Sequence, residues 1–250
     1  MSIEPNDSNT VISPGKGRSA IPHHIGGREV GKDSYKKDYF SYRVGNDPQR
    51  VACFRQEADY VKSIINNGRL MDIGCGTGEF IEYLQWNGSC YGMEVSEFAI
   101  SEARLRGVLF DTTIFDVDNF FDVVIFRGTI QHIDTPFLYL KRCRAALRPG
   151  GFIIFLATPN ANSIYYRLWN TLPCLDNPRN FYIPSDVTLT NALRNFGFEI
   201  VDISFPYLTS PYASPLHDHW KFLLKLFGIQ TKFPFWRNMM HIIARNTAQK

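Results

Sequence analysis

From Pro48 to Asn67 the apolar residues Val51, Phe54, Ala58, Val61, Ile64 and Ile65 recur at helical spacing, which predicts a helix ending near Gly68. Beyond it the pattern changes, and short apolar runs alternate with helical stretches, as expected of βαβ units around a parallel sheet. The expected strands are Arg69 to Ile73, Cys90 to Met93, a poorly marked one near Val108 to Ile114, Asp122 to Phe126, Phe152 to Ala157, Phe198 to Ser204 and Met239 to Arg245. One helix follows a glycine-rich loop as far as Gly88, and another runs from an N-cap at Ser96 to a stop at Gly107. A third starts with Pro136 at its first position and ends at Pro149-Gly150-Gly151, and a fourth covers about Ser185 to Phe196. Residues 205 to 238 form a long aromatic and proline-rich insertion before the last strand.

At the other end, residues 1 to about 34 mix Ser, Asn, Pro, Gly and charge with few spaced apolar residues, too few to offset the entropy of ordering. They are expected to be a flexible tail, followed at 35–68 by a helical cap whose first part, Tyr35 to Arg43, interleaves aromatic and basic residues.

Composition narrows the picture. With 250 residues and 44% apolar content the chain can bury one sizeable core with decorations. Its net charge of +3 comes from scattered Lys and Arg, with no run dense enough to track a phosphate backbone, so no nucleic-acid partner is expected. Cys53, Cys75, Cys90, Cys143 and Cys174 are odd in number and contain no C-x-x-C pair, which suggests neither a disulfide framework nor zinc and fits a reducing cytoplasm. The start, MSIEPNDSNT, lacks an apolar core for export, and the longest apolar stretch, Phe152 to Ala157, is too short to insert across a bilayer. A cytoplasmic location is the expectation.

The strongest chemical signal is MDIGCGTGEF, residues 71 to 80, where a strand runs into a glycine-rich turn that opens a helix. Gly74 and Gly76 let the backbone turn sharply and approach a ligand, and the helix start offers unpaired N–H donors. Twenty residues beyond Gly74, Glu94 stands at the carboxyl end of the second expected strand, where a carboxylate can accept from both hydroxyls of a ribose. The dinucleotide fingerprint G-x-G-x-x-G would place its third glycine at 79, where this chain has Glu79; the glycine is at Gly78. A carboxylate there opposes a pyrophosphate, so a cofactor without phosphates suits the loop better than NAD. Asp72, inside an otherwise apolar strand, can anchor the loop or meet a cationic amino-acid moiety.

On these residues the chain resembles the class I S-adenosylmethionine-dependent methyltransferases, in particular the small-molecule group near the ubiquinone-biosynthesis enzymes. DIGCGTG is similar to their first motif, Glu94-Val95-Ser96 to their ribose-binding acid, and FDVVIFRGTIQHIDTP and LRPGGFIIFLATPN to their fourth and fifth strands. The resemblance implies an α/β fold, a doubly wound, mostly parallel seven-stranded sheet over 69–250, with S-adenosylmethionine across the carboxyl ends of the strands. It places Gly74, Cys75 and Gly76 at the methionine and ribose part, Glu94 at the ribose, Val95 at an adenine face, and Phe126, Arg127 and Gly128 near the sulfonium and carboxylate. The family's Gly-Asp pair after strand three is missing from FDTTIFD, leaving Thr113, Ile114 and Asp116 as adenine candidates.

Some of these residues have two readings. Arg127 can hold a carboxylate of donor or substrate, or make a structural ion pair. His132 is the candidate catalytic base for an acceptor hydroxyl, against a histidine that merely bonds backbone. His217-Asp218-His219 is read as solvated surface rather than a metal site, since three adjacent loop residues rarely converge on one ion. The Tyr35–Arg43 cluster, Tyr165, Tyr166, Trp220, Phe222 and Trp236 form either a lid over the acceptor or satellite packing. The resulting expectation is O-methylation of a small-molecule, carbohydrate or glycolipid acceptor, as in polysaccharide biosynthesis. The alternatives are a catalytically silent binding subunit on the same fold and an NAD-dependent oxidoreductase.

Overall fold

The computed structural model describes residues 39–40, 47–169, 180–207, 213–231 and 238–247. The expected tail, most of the Tyr35–Arg43 cluster, the Tyr165 side chain, Cys174 and Trp236 lie outside them.

Helix α1 (Pro48–Lys62) opens where Asp47 accepts the Gln49 N–H and Pro48 supplies the first turn. Its buried face is Phe54, Glu57, Ala58 and Val61. Strand β1 (Asn67–Ile73) then enters the core, and the glycine loop leads into α2 (Glu79–Leu84), which stops short of Gly88 because Gln85 takes a left-handed φ of 48°. Next come β2 (Asn87–Met93), α3 (Glu97–Leu105) capped by Ser96, and β3 (Phe121–Arg127). A 3-10 turn (Ile130–His132) leads to α4 (Pro136–Ala146) and β4 (Leu147–Pro159). The chain ends with α5 (Ile164–Trp169), α6 (Asp186–Asn195), β5 (Phe198–Ser204), α7 (Pro215–Leu226) and β6 (Met239–Asn246). The start of α6 is a reciprocal cap, with Ser185 and Thr188 each bonding the other's backbone N–H.

Among the described residues the sheet has six strands in the order β2-β1-β3-β4-β6-β5, not the seven expected. The missing strand, near Val108 to Ile114, is reduced to a single bridge between Tyr91 and Leu109. Leu109 exchanges bonds with Cys90 and Gly92, but Asp116 then takes the Thr113 N–H at 2.8 Å and its hydroxyl at 2.7 Å, so the polar stretch Asp111-Thr112-Thr113 closes into a turn instead of extending the ladder.

Strands β1 to β4 pair in parallel, β6 is antiparallel to both β4 and β5, and β5 therefore runs in the same direction as β4. The end of β5 and the start of β6 accordingly sit at the carboxyl edge of the parallel strands. Two cores cover the two faces. Met71, Ile73, Val124 and Phe126 pack under α4 and α6, whereas Leu70, Val123, Ile125 and Ile243 pack under α1, α2 and α3. Because side chains alternate across a strand, Asp72, Arg127 and His241 fall on the α1 face, each two residues from one of those apolar positions.

Gly78 fixes the spacing of α2 and α3. Its φ is +79°, and a Cβ there would lie 3.2 Å from the Ala103 backbone on α3 and 3.3 Å from Val108. Gly78→Val is expected to lower unfolding free energy by roughly 2–4 kcal/mol through overpacking and backbone strain, read from urea titrations. A variant as stable as the parent would mean α3 yields freely at this contact.

Candidate functional site

The carboxyl ends of β1, β2 and β3 bring together most of the residues singled out by the glycine motif. Glu94 is buried beside the loop, and its carboxylate gathers three backbone donors. Gly76 N–H reaches Oε2 at 2.9 Å, while Val95 N–H at 2.7 Å and Ser96 N–H at 3.1 Å reach Oε1. Burial raises its proton affinity although all three bonds favour the charged form. A carboxylate has about four acceptor sites, so three N–H bonds leave capacity for a ligand hydroxyl.

Gly74 and Gly76 serve different ends. A Cβ on Gly74 would meet Thr129 at 2.4 Å, so this glycine lets the turn after β3 close against the loop. At Gly76 a Cβ would meet the Phe40 ring at an ordinary 3.7 Å, so it is the φ of +55° rather than crowding that calls for glycine here. Cys75 is buried between them; burial pushes its thiol well above the usual range, which makes it inert packing rather than a nucleophile.

Asp72 is buried, and its Oδ1 has no hydrogen-bond partner among the described residues. Burial raises the carboxyl to about 7, with Arg127 pulling it down and Glu94 adding to the rise. An orphaned carboxylate oxygen beside the loop is complementary to a cationic donor such as an ammonium group.

Arg127 donates from Nε to Glu57 Oε2 at 2.5 Å, and its guanidinium lies 4.3 Å from the centre of the Phe54 ring. His241 Nε2 is 3.8 Å from the other Glu57 oxygen, and burial lowers the affinity of His241 for a proton. Arg127 thus makes the structural ion pair that was one of its two readings, while remaining on the same face as Asp72. Glu57 was missed, yet it occupies the apolar spacing of Phe54, Ala58 and Val61, and a lone acid on a core stripe is a signal for a buried partner.

Other expected site residues fall elsewhere. Phe126 is fully buried and stacks on Phe155 with ring centres 5.0 Å apart, and Ile114 is fully buried with its carbonyl taken by Arg142, so both serve the core and offer no side chain to a ligand. Thr113 is engaged with Asp116. Gly128 has φ +60° and donates to Leu156, and Val95 is half-buried after Glu94. His132 is half-buried in the 3-10 turn, its Nε2 3.4 Å from Gln131 Nε2. Glu79 pairs with Arg50 at 2.9 Å, so its charge is offset and the repulsion argument against a pyrophosphate loses force. The His-Asp-His triplet lies on α7 rather than in a solvated loop. Asp218 is buried and accepts from Tyr207 and Ser214, while His217 and His219 bond Ser214 and Pro215.

A family model described as a methyltransferase domain matches residues 48–203. The chain belongs to that family. The ubiquinone biosynthesis O-methyltransferase of Mesorhizobium japonicum is 31% identical over 138 residues, covering 51% of this chain and 51% of that protein. The chain spans about half the length of the curated relatives it matches. Among solved structures, an S-adenosylmethionine-dependent methyltransferase from Archaeoglobus fulgidus is similar with a TM-score of 0.59 and 19% identity, over 83% of this chain and 97% of that one. The [4+2]-cyclase SpnF is similar with a TM-score of 0.53 and 19% identity, over 78% and 82%. This methyltransferase fold and family imply S-adenosylmethionine as the cofactor, and the residues fit it. Asp72 offers an unmatched acceptor and Glu94 spare acceptor capacity. The family match sets the oxidoreductase alternative aside.

A folded carboxyl that keeps its proton to about pH 7, when the unfolded one loses it near 4, contributes stability that is complete below pH ~4 and lost as pH rises through ~7. Asp72→Asn removes that loss. Relative to the parent, the variant should gain stability between about pH 4 and pH 8 in urea titrations, and a pH-independent difference would place Asp72 in a solvated setting.

Proposed function

We propose that this methyltransferase carries out O-methylation of a small-molecule or carbohydrate-like acceptor. The observation that carries the donor half is the Glu94 carboxylate, held by the N–H groups of Gly76, Val95 and Ser96 at the mouth of the glycine loop. In this reading Glu94 receives the ribose hydroxyls, Gly76 and Cys75 line the loop by their backbone, and Asp72 meets the amino group of the methionine part. The bound donor supplies an electrophilic methyl group on a sulfonium. The protein's share is orientation and exclusion of water, since an in-line displacement gains most of its rate from alignment of the acceptor. His132, between the end of β3 and α4, is the candidate to take the acceptor's proton.

Support for oxygen as the methylated atom comes from the curated relatives, which are named as ubiquinone biosynthesis O-methyltransferases. The carbohydrate-like acceptor rests on the resemblance of the N-terminal aromatic segment, the Thr158-Pro159-Asn160 turn and the late insertion before Asn238-Met239 to enzymes of bacterial surface polysaccharide or glycolipid synthesis. A binding subunit on this fold is the second reading. It draws on the structural likeness to a protein named as a cyclase, which shows that the fold is not confined to proteins named methyltransferases.

Calorimetric titration with S-adenosylmethionine, S-adenosylhomocysteine and NADH tests the donor, and incubation with methyl-labelled donor against phenols, glycans, RNA and protein tests the acceptor. Label in RNA or protein but in no phenol or glycan sinks the acceptor assignment. Glu94→Ala should weaken S-adenosylhomocysteine binding by roughly 2–4 kcal/mol, the scale of a lost charge-assisted bond pair, with unchanged affinity refuting the ribose role. His132→Ala should lower kcat about 100-fold or more while leaving donor affinity intact, and equal turnover returns His132 to a structural part.

A further inference from the structure

Arg127 lies within reach of two buried acids and bonds one of them. In the parallel register of β1 and β3, Asp72 is opposite Ile125 and Ile73 opposite Phe126, so Arg127 stands one step further on, beside Gly74. Alternation puts Asp72 and Arg127 on the α1 face, and the strand spacing and rise set their Cα atoms about 8 Å apart. An arginine side chain spans most of that distance. Yet Arg127 Nε donates to Glu57 Oε2 at 2.5 Å, while Asp72 Oδ1 has no partner among the described residues.

Two features hold the guanidinium on the Glu57 side. Glu57 is buried on the inner face of α1, and the guanidinium lies 4.3 Å from the centre of the Phe54 ring and 5.6 Å from that of Phe80. Its Nη groups make no hydrogen bond among the described residues, so the fork keeps donors suited to a second carboxylate. Buried charges of opposite sign pair unless something else holds them apart. Without Glu57, the guanidinium would be released toward Asp72.

We propose that Glu57 is a positioning residue for donor binding: it anchors Arg127 away from Asp72 and keeps that carboxylate available for the ammonium of the donor's methionine part. The proposal rests on the reading of Asp72 given above. Arg127 still acts on Asp72 through space, lowering its proton affinity against burial and the charge of Glu94. The nearby Cys75 and Cys90 thiols are held protonated by burial, so these are the charges that set the acid's state. The guanidinium thereby tunes Asp72 without occupying it.

The test is calorimetric titration of the full chain with S-adenosylhomocysteine and with 5′-methylthioadenosine, which keeps the nucleoside and lacks the amino acid, at about pH 6 and about pH 7.5. In the parent, affinity for S-adenosylhomocysteine should fall toward the lower pH, where Asp72 takes up a proton. Glu57→Ala should lower that affinity about tenfold at the higher pH, flatten its pH dependence, and leave 5′-methylthioadenosine within about twofold. Adding Arg127→Met removes the competing cation and should recover at least about threefold. Melting temperature and 5′-methylthioadenosine affinity report whether each variant folds. Should Glu57→Ala fail to fold, Glu57→Gln keeps the shape, drops the charge and should show the same pattern with about a threefold loss. Unchanged S-adenosylhomocysteine affinity, equal loss for both ligands, or a double variant that binds no better than the single one each overturns the proposal. If Asp72→Asn weakens S-adenosylhomocysteine but Glu57→Ala does not, the Glu57 assignment alone falls. If Asp72→Asn changes nothing, the donor reading of Asp72 falls and takes the Glu57 assignment with it.

Discussion

Three backbone N–H groups converge on the buried Glu94 carboxylate, and the carboxyl edge of the sheet is organised around that set of bonds. One oxygen reaches forward to Gly76 in the loop after β1, and the other holds Val95 and Ser96 at the start of α3. A single side chain thereby fixes the glycine loop relative to the end of β2. Its cost is desolvation, which raises the carboxyl's proton affinity despite the donors. Asp72, on the neighbouring strand, is buried too and has an oxygen with no partner, so the edge holds two costly acids beside one loop. That arrangement suits a ligand which brings hydroxyls to one acid and positive charge to the other.

The first helix is coupled to this edge by a second set of charges. Glu57 on α1 bonds Arg127 at the end of β3 and approaches His241 on β6, and one turn further along Tyr60 bonds Asp202 on β5. These contacts tie α1 to three strands, while Phe54 and Phe80 lie under the guanidinium. Arg127 is consequently shared between a structural pair and the neighbourhood of Asp72, where its charge offsets the acid's burial. A buried ion pair of this kind is expensive unless every partner is satisfied, so the orientation of α1 and the electrostatics of the donor edge are set together.

What could be read from residues alone follows the strength of the local pattern. Strands β1, β3, β4 and β5 were legible because their apolar runs are bounded by Gly, Pro or charge, and α6 because Ser185 and Thr188 form its cap. The strand at Val108 to Ile114 was not, since only Leu109 pairs and Asp116 captures the next donor. Gly74 and Gly76 stood out in sequence, but that one accommodates Thr129, 55 residues further along, and the other meets the Phe40 ring is decided by distant parts of the chain. The family resemblance implied Phe126 near the ligand; alternation instead turns its side chain into the core and brings Arg127 to the α1 face. Glu57 was detectable as a lone acid on an apolar helical stripe, whereas its partners, 70 and more residues distant, were not.

Helix α7 shows why such distant information decides the rest. Pro215 at its first turn and the recurrence of Leu216, Trp220, Leu223 and Phe227 mark an amphipathic helix, but periodicity does not say which face turns inward. The direction is set by Asp218. Once its carboxylate accepts from Tyr207 and Ser214, burying it requires the polar side of the helix to face the domain, and the apolar side has nowhere to go but outward. Reversing the helix would take the Asp218 carboxylate away from Tyr207 and lift Lys225 off the Trp169 ring. The exposed ridge is therefore a consequence of satisfying one buried acid.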